Sequence, residues 1–226
     1  MKTEAMNETE WLSCTDPGHM LQFLRCRASE RKLIMFAAAC CRRGWHLMTG
    51  PRCREVIDAA EQFADGLLSH AEFETALQSL VPLWVDLPNY REDRWLVSHY
   101  MTAAVYHLGT AGGASYAASY AARGLACLAG ADGSAGWLVT VQTEETAQCS
   151  LLRDLFGNPS HPFRFDPVWL AEEGKPCVDL AGTIYHGCRF ELLPSLADTL
   201  NDRARFSCTT KTTKFQELTA ISVSDL

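Results

Sequence analysis

Apolar residues recur every three or four positions from residue 16 to residue 80, which is the period of an amphipathic helix. Asp16-Pro17 reads as an N-cap with proline at the first helical position, and Met20, Leu21, Phe23 and Leu24 supply the apolar face. Ser29 caps a second helix carrying Leu33, Phe36, Ala37, Cys40, Cys41, Gly44, Leu47 and Met48, ended by Gly50-Pro51. Ile34, Met35, Ala38 and Ala39 make its middle apolar nearly all round, so it is expected to be central. Pro51 opens a third helix with Val56, Ile57, Ala60, Phe63 and Ala64 on one stripe and Gly66 as its left-handed terminator. Ser69 and Glu72 form a capping box ahead of Phe73, Ala76, Leu77 and Leu80.

The pattern then changes. Pro82 and Pro88 mark Val81 to Asn89 as a connector. Ala103 to Ala131 is more than a third alanine and repeats Ser-Tyr-Ala-Ala at 115 and 119. That period of four places Tyr116 and Tyr120 on nearly one helical face, with small residues elsewhere that permit close packing. The glycines at 109, 112, 113, 124, 130, 133 and 136 weaken a helix there. Trp137 to Val141 shows the only alternation suggestive of a strand. Thr143-Glu-Glu is expected to start a further helix with Ala147, Leu151, Leu152, Leu155 and Phe156 on its apolar side, stopped by Gly157-Asn158-Pro159. Asp166-Pro167 repeats the cap-plus-proline device ahead of Trp169 and Leu170. Two short helices follow, one through Val178, Ala181, Ile184 and Tyr185, the other through Phe190, Leu193, Leu196 and Leu200.

Together these elements predict an all-α, multi-helix bundle, with a division into two helical lobes near Val81 to Asn89 as one arrangement. By region, 6–80 is helical, 81–142 a connector and a variable Ala/Gly-rich region, 143–201 helical again, and 202–226 an atypical or disordered tail.

Composition narrows the class further. With 226 residues, 47% apolar and 21% charged, and 20 Lys+Arg against 27 Asp+Glu for a net −7, the chain is ordinary and globular rather than disordered or collagenous. The longest apolar run, Leu33 to Cys41, falls far short of the roughly 20 residues that cross a bilayer, so no membrane partner is expected. The N-terminal MKTEAMNETEW has no apolar secretory core, which makes the cytoplasm the expected compartment and reduced thiols the expected state of the ten cysteines.

Chemistry-bearing motifs are sparse. No C-x-x-C, P-loop, G-x-G-x-x-G, H-E-x-x-H or G-x-S-x-G pattern occurs, and no cofactor is implied. Cys40, Cys41, His46 and Cys53 lie close together in the chain and are the candidate zinc or thiol site, but Cys41 and His46 sit about 140° apart round a helix, so local spacing chelates nothing. Charge gives the stronger hint. Positions 25 to 54 carry eight cations against Glu30 alone, and Arg31 with Arg42, and Lys32 with Arg43, fall on common lines of the central helix. These four are candidates for binding nucleic acid or an acidic partner; alternatively they pair internally with the acidic helices over Glu55 to Asp65 and Glu72 to Glu74. Arg42, three residues before Trp45, is placed to lay its guanidinium over that ring.

The segments Glu10-Trp-Leu-x-Cys-x-Asp-Pro, Phe36-Ala-x-Ala-Cys-Cys-Arg-Arg-x-Trp-His-Leu, Leu151-Leu-Arg-Asp-x-Phe-Gly-Asn-Pro and Leu193-Pro-x-Leu-Ala-Asp resemble an uncharacterised family of bacterial hypothetical proteins. The likeness covers most of the chain and implies a variable alanine-rich middle, matching 103 to 131, but no activity. By the same likeness Met6 is the better start, and Asp202 to Leu226, rich in Thr, Ser and Lys, reads as a displaced or divergent tail. The function expected is that of a non-catalytic interaction or adaptor protein with a protein partner. Nucleic-acid binding through 25–54 and a zinc- or thiol-dependent enzyme are the alternatives.

Overall fold

The computed structural model describes residues 6–25, 27–48, 50–80, 93–110, 112–130, 133–159, 175–187, 189–192, 194–196 and 198–200. Every regular element among them is helical, and none of these helices is long and apolar enough to cross a membrane. The chain divides into two compact units, Met1–Phe163 and Arg164–Leu226.

The first unit is built from α1 (Glu8–Ser13), α2 (Pro17–Leu24), α3 (Glu30–Arg43), α4 (Pro51–Ala64), α5 (His70–Gln78), α6 (Asp93–Tyr106), α7 (Gly113–Ala126) and α8 (Ala135–Phe156), with 3-10 turns at Trp45–Leu47 and His107–Gly109. Local chemistry sets the starts. Asp16 accepts from the Gly18 and His19 amides, Ser29 from Lys32, and Ser69 and Glu72 exchange bonds as a capping box. A second capping box joins Asn7 and Glu10 and starts α1, a helix not anticipated from the apolar pattern. Gly66, at φ +73°, ends α4 in a Schellman motif: its amide donates to the Phe63 carbonyl, and Leu67 donates to Gln62 at 2.8 Å.

One core unites these helices. It runs from Met6 and Trp11 through Phe36, Val56, Ile57, Leu77 and Met101 to Leu152. α3 is central as expected, packing on α4, α6, α7 and α8. The division anticipated near 81–89 is therefore not where the units part: helices before and after 81–92 share this core, and the boundary falls near residue 163. The connector Val81 to Asn89 itself, the Asp166-Pro167 device, the 202–226 tail and the Met1 to Ala5 extension lie outside the described residues.

Three elements differ from the periodicity reading. The central helix stops at Arg43, because the chain tightens into the Trp45–Leu47 turn after Gly44, where a Cβ would overlap the tip of Met101. The alanine-rich middle is helical and part of the core despite the glycines expected to weaken it: α6 and α7 pair along their length, and α7 buries Ala117, Ala118, Ala121 and Ala122. Gly124 of α7 lies against Met101 and Tyr100 of α6, so close that a Cβ would displace the Met101 thioether. Finally, α8 begins at Ala135, capped by Ser134, so Trp137 to Val141 is helical and Thr143 lies two turns inside.

The second unit shows α9 (Lys175–Gly187), matching the helix expected through Val178 and Ile184, and a 3-10 turn at Phe190–Leu192. The helix expected through Phe190, Leu193, Leu196 and Leu200 opens as that 3-10 turn and falls partly outside the described residues. Cys177 and Ile184 are buried, and Arg189 pairs with Glu191 at 2.9 Å.

Candidate functional site

The four cations of the candidate stripe all have partners inside the first unit. Arg31 pairs with Asp65 at the end of α4 at 2.6 Å. Lys32 Nζ donates to the Leu155 carbonyl at 2.6 Å, at the C-terminal end of α8 where a cation is favoured by the helix dipole, and lies over the Phe156 ring. Arg42 bridges Asp58 and Glu61 and stacks 4.7 Å from the Trp45 ring, the contact its spacing predicts. Arg43 holds Glu144 of α8 through Nε at 2.7 and 2.9 Å. That carboxylate is only 5% exposed, and Gln148 one turn on donates to the Ala118 carbonyl at 2.9 Å, so one polar cluster ties α3, α7 and α8 together.

The thiol and imidazole candidates do not converge. Cys40, Cys41 and Cys53 are buried while His46 is exposed on the turn after α3. Among the described residues no three His, Cys, Asp or Glu side chains are grouped to hold a metal. Burial holds the Cys40, Cys41 and Cys53 thiols above their ordinary 9.0, with Cys41 and Glu144 adding to the effect at Cys40. Burial also pushes Cys149 up to about 12, reinforced by Cys14. Such thiols are poor nucleophiles near neutrality.

The sign of these shifts makes stability depend on alkaline pH. The unfolded chain releases thiol protons near pH 9 while the folded chain keeps them, so stability is complete below about pH 9 and falls as pH rises toward 12. Urea midpoints recorded from about pH 7 to pH 11 should drop at the alkaline end, and less so in Cys149→Ala. An alkaline drop of the same size in that variant would remove Cys149 from the account.

The surface that does gather unusual chemistry is the α6–α7 hairpin. Seven rings run along it in mutual contact. Trp95 stacks on His99 at 4.9 Å, His99 meets Tyr100 edge-on, and Tyr100 stacks on Tyr120 at 6.1 Å. His107 then lies between Tyr120, at 5.5 Å and 7°, and Tyr116, at 4.9 Å and 25°, with Tyr106 against its edge. Antiparallel helices explain the order: Tyr100 and His107, two turns apart on α6 and its following turn, face Tyr120 and Tyr116 on α7. Thr110 Oγ1 donates to the His107 carbonyl and sits 3.2 Å from Nδ1, an arrangement that suits Nδ1 as donor. Burial lowers the proton affinity of both His99 and His107, so the ladder is neutral at pH 7.

No protein-family model, curated protein or solved structure matches the chain. The site therefore stands on its own geometry. Its outer end is open, with Tyr116 57% and Tyr106 40% exposed. An adjoining cleft, which shares Thr110 with the ladder and is lined by Leu33, Phe63, Phe73, Leu108, Glu30 and His70 among others, measures about 90 Å³. That is smaller than the roughly 150 Å³ that admits a benzene ring, so the ladder is the better candidate.

The periodicity reading found the Tyr116 and Tyr120 stripe but missed Trp95, His99, Tyr100, Tyr106 and His107. A usable signal was present: aromatic residues at 95, 99 and 106, and at 100 and 107, keep helical spacing.

Proposed function

We propose that this chain is a non-catalytic interaction module, of the adaptor kind and cytoplasmic, whose contact surface is the aromatic face of α6 and α7. The observation that carries the proposal is the ring ladder, which leaves tyrosines in solvent rather than in the core. Tyr and Trp are the residues on which binding energy concentrates, because a rigid ring brings large contact area at small entropic cost. Two further facts support a binding role over the alternatives. Arg31, Lys32, Arg42 and Arg43 have partners within the fold, which weakens the case for a basic stripe over 25–54. The thiols of the zinc or thiol-enzyme alternative are buried and protonated at pH 7.

The test is affinity capture from cells with the full chain and with Tyr116→Ala/Tyr120→Ala. Tyr116 is exposed and Tyr120 half-buried, so the double variant should keep its helicity and lose the captured partner. Identical captured material from both proteins would overturn the proposal.

A further inference from the structure

The junction between α1 and α2 lies along α8 in a definite register. Glu145, Cys149 and Arg153 recur about one turn apart on α8, which ends at Gly157. Gly157 accepts from the Trp11 indole, and Arg153 donates to the Trp11 and Cys14 carbonyls. Glu145, two turns back from Arg153, feels Asp16, which adds to the rise that burial causes in its proton affinity. The junction thus runs antiparallel to α8, from Trp11 beside Gly157 to Asp16 toward Glu145, and Cys14 falls at the level of Cys149. After burial, Cys14 is the largest influence raising the Cys149 thiol.

The two sulfurs differ in access. Cys14 is the C-cap of α1, extended at φ −62° and ψ 135° and partly exposed, and its thiol donates to the Asp16 carbonyl at 3.3 Å. Cys149 is fully buried. Cys41 also has thiol neighbours, Cys40 and Cys53, but all three are buried, so a reagent in water has no first thiol to reach there. An accessible thiol beside a sealed one is the arrangement of an attacking and a resolving cysteine.

We propose that Cys14 and Cys149 form a redox-controlled disulfide, made by exchange with a low-molecular-weight disulfide, that fastens the α1–α2 junction to α8. This pairing is independent of the ladder. The Cys14 thiolate attacks one sulfur of the small disulfide, whose S–S bond breaks and releases one small thiolate. Cys149 then gives its proton to water, and its sulfur attacks the Cys14 sulfur of the mixed disulfide and expels the second small thiol. Two protein thiols and one small disulfide become one protein disulfide and two small thiols. The second step is the slow one, because burial keeps the proton on Cys149 near neutrality. The product closes residues 14–149 into one loop, a long constraint on the unfolded chain, and stabilises the fold accordingly.

The test is a peptide map of the full chain after incubation with glutathione disulfide at about pH 8, trapping of free thiols with N-ethylmaleimide and digestion with trypsin. Expected is a linked pair of peptides, Thr3–Arg25 with Gly124–Arg153, that grows in over minutes to hours. Cys127 shares the second peptide, so the link should persist in Cys127→Ser and vanish in Cys14→Ser and in Cys149→Ala. The Cys127→Ser map decides the pairing with both thiols of the pair intact. The apparent melting temperature of the oxidised chain should exceed that of the reduced chain by about 5 to 15 °C, and dithiothreitol should restore the lower value. A link from Cys14 to any cysteine other than Cys149 overturns the proposal, as does Cys14 left carrying glutathione with no internal link. A link that forms only in the presence of urea, or an oxidised chain that melts no higher than the reduced one, overturns it too.

Discussion

Replacing Phe36 by alanine should lower the unfolding free energy by about 3 to 5 kcal/mol, the largest single-substitution effect expected in this fold. The ring lies fully buried in the middle of α3, the helix that packs on α4, α6, α7 and α8, so its removal leaves a void bordered by helices that are themselves held by other contacts. Such a site collapses poorly. Urea unfolding followed by circular dichroism would measure the shift, and a loss under about 1 kcal/mol would mean that the neighbours repack around the gap or that the ring is not in the core.

The next largest effect is expected from Arg43→Ala, at about 2 to 3 kcal/mol, because it strands the Glu144 carboxylate in a setting that is 5% exposed. The figure sits below the range for fully buried pairs, since the Arg43 side chain is itself 42% exposed and water can follow it in. Glu144→Gln should cost less, about 1 kcal/mol: the amide can still accept from Arg43, and the guanidinium left behind can hydrate. Urea midpoints of the two variants give the order of the losses, which is the informative quantity. Equal losses would show that the carboxylate's desolvation is not what the pair relieves.

Glu144 also shows where reading the chain alone reaches its limit. With Thr143 and Glu145 it looked like the acidic first turn of a helix, which is where the macrodipole favours carboxylates. In the fold it is mid-helix and serves Arg43, 101 residues earlier. The starts of α2, α3 and α5 were legible because each depends on a side chain and an amide two or three residues apart. The helix through Trp137 was not, since its alternating apolar residues carry no sign of the partner that buries Trp137 and leaves Leu138 and Val139 exposed. The same limit applies to the ladder. Tyr116 and Tyr120 share a helical face by arithmetic, but His107 enters between them from the turn ahead of α7, and only the pairing of α6 with α7 puts it there. Alanine and glycine obscured that pairing: they lower the contrast of the apolar stripe, yet they are what lets the two backbones approach.

The fastening of the first helix bears on how the protein is made. Trp11 is 1% exposed, its indole N–H donates to the Gly157 carbonyl at 3.0 Å, and Arg153 donates back to the Trp11 and Cys14 carbonyls. Those partners are 139 to 146 residues downstream. At a synthesis rate of about 5 to 20 residues per second, α1 must wait roughly 7 to 30 s before these hydrogen-bond partners exist, although the Phe23 ring of α2, 6.0 Å from Trp11, is made almost at once. During that interval the Trp11 indole N–H lacks its Gly157 acceptor, so the fastening of the first helix is completed only when the last turn of α8 has been made.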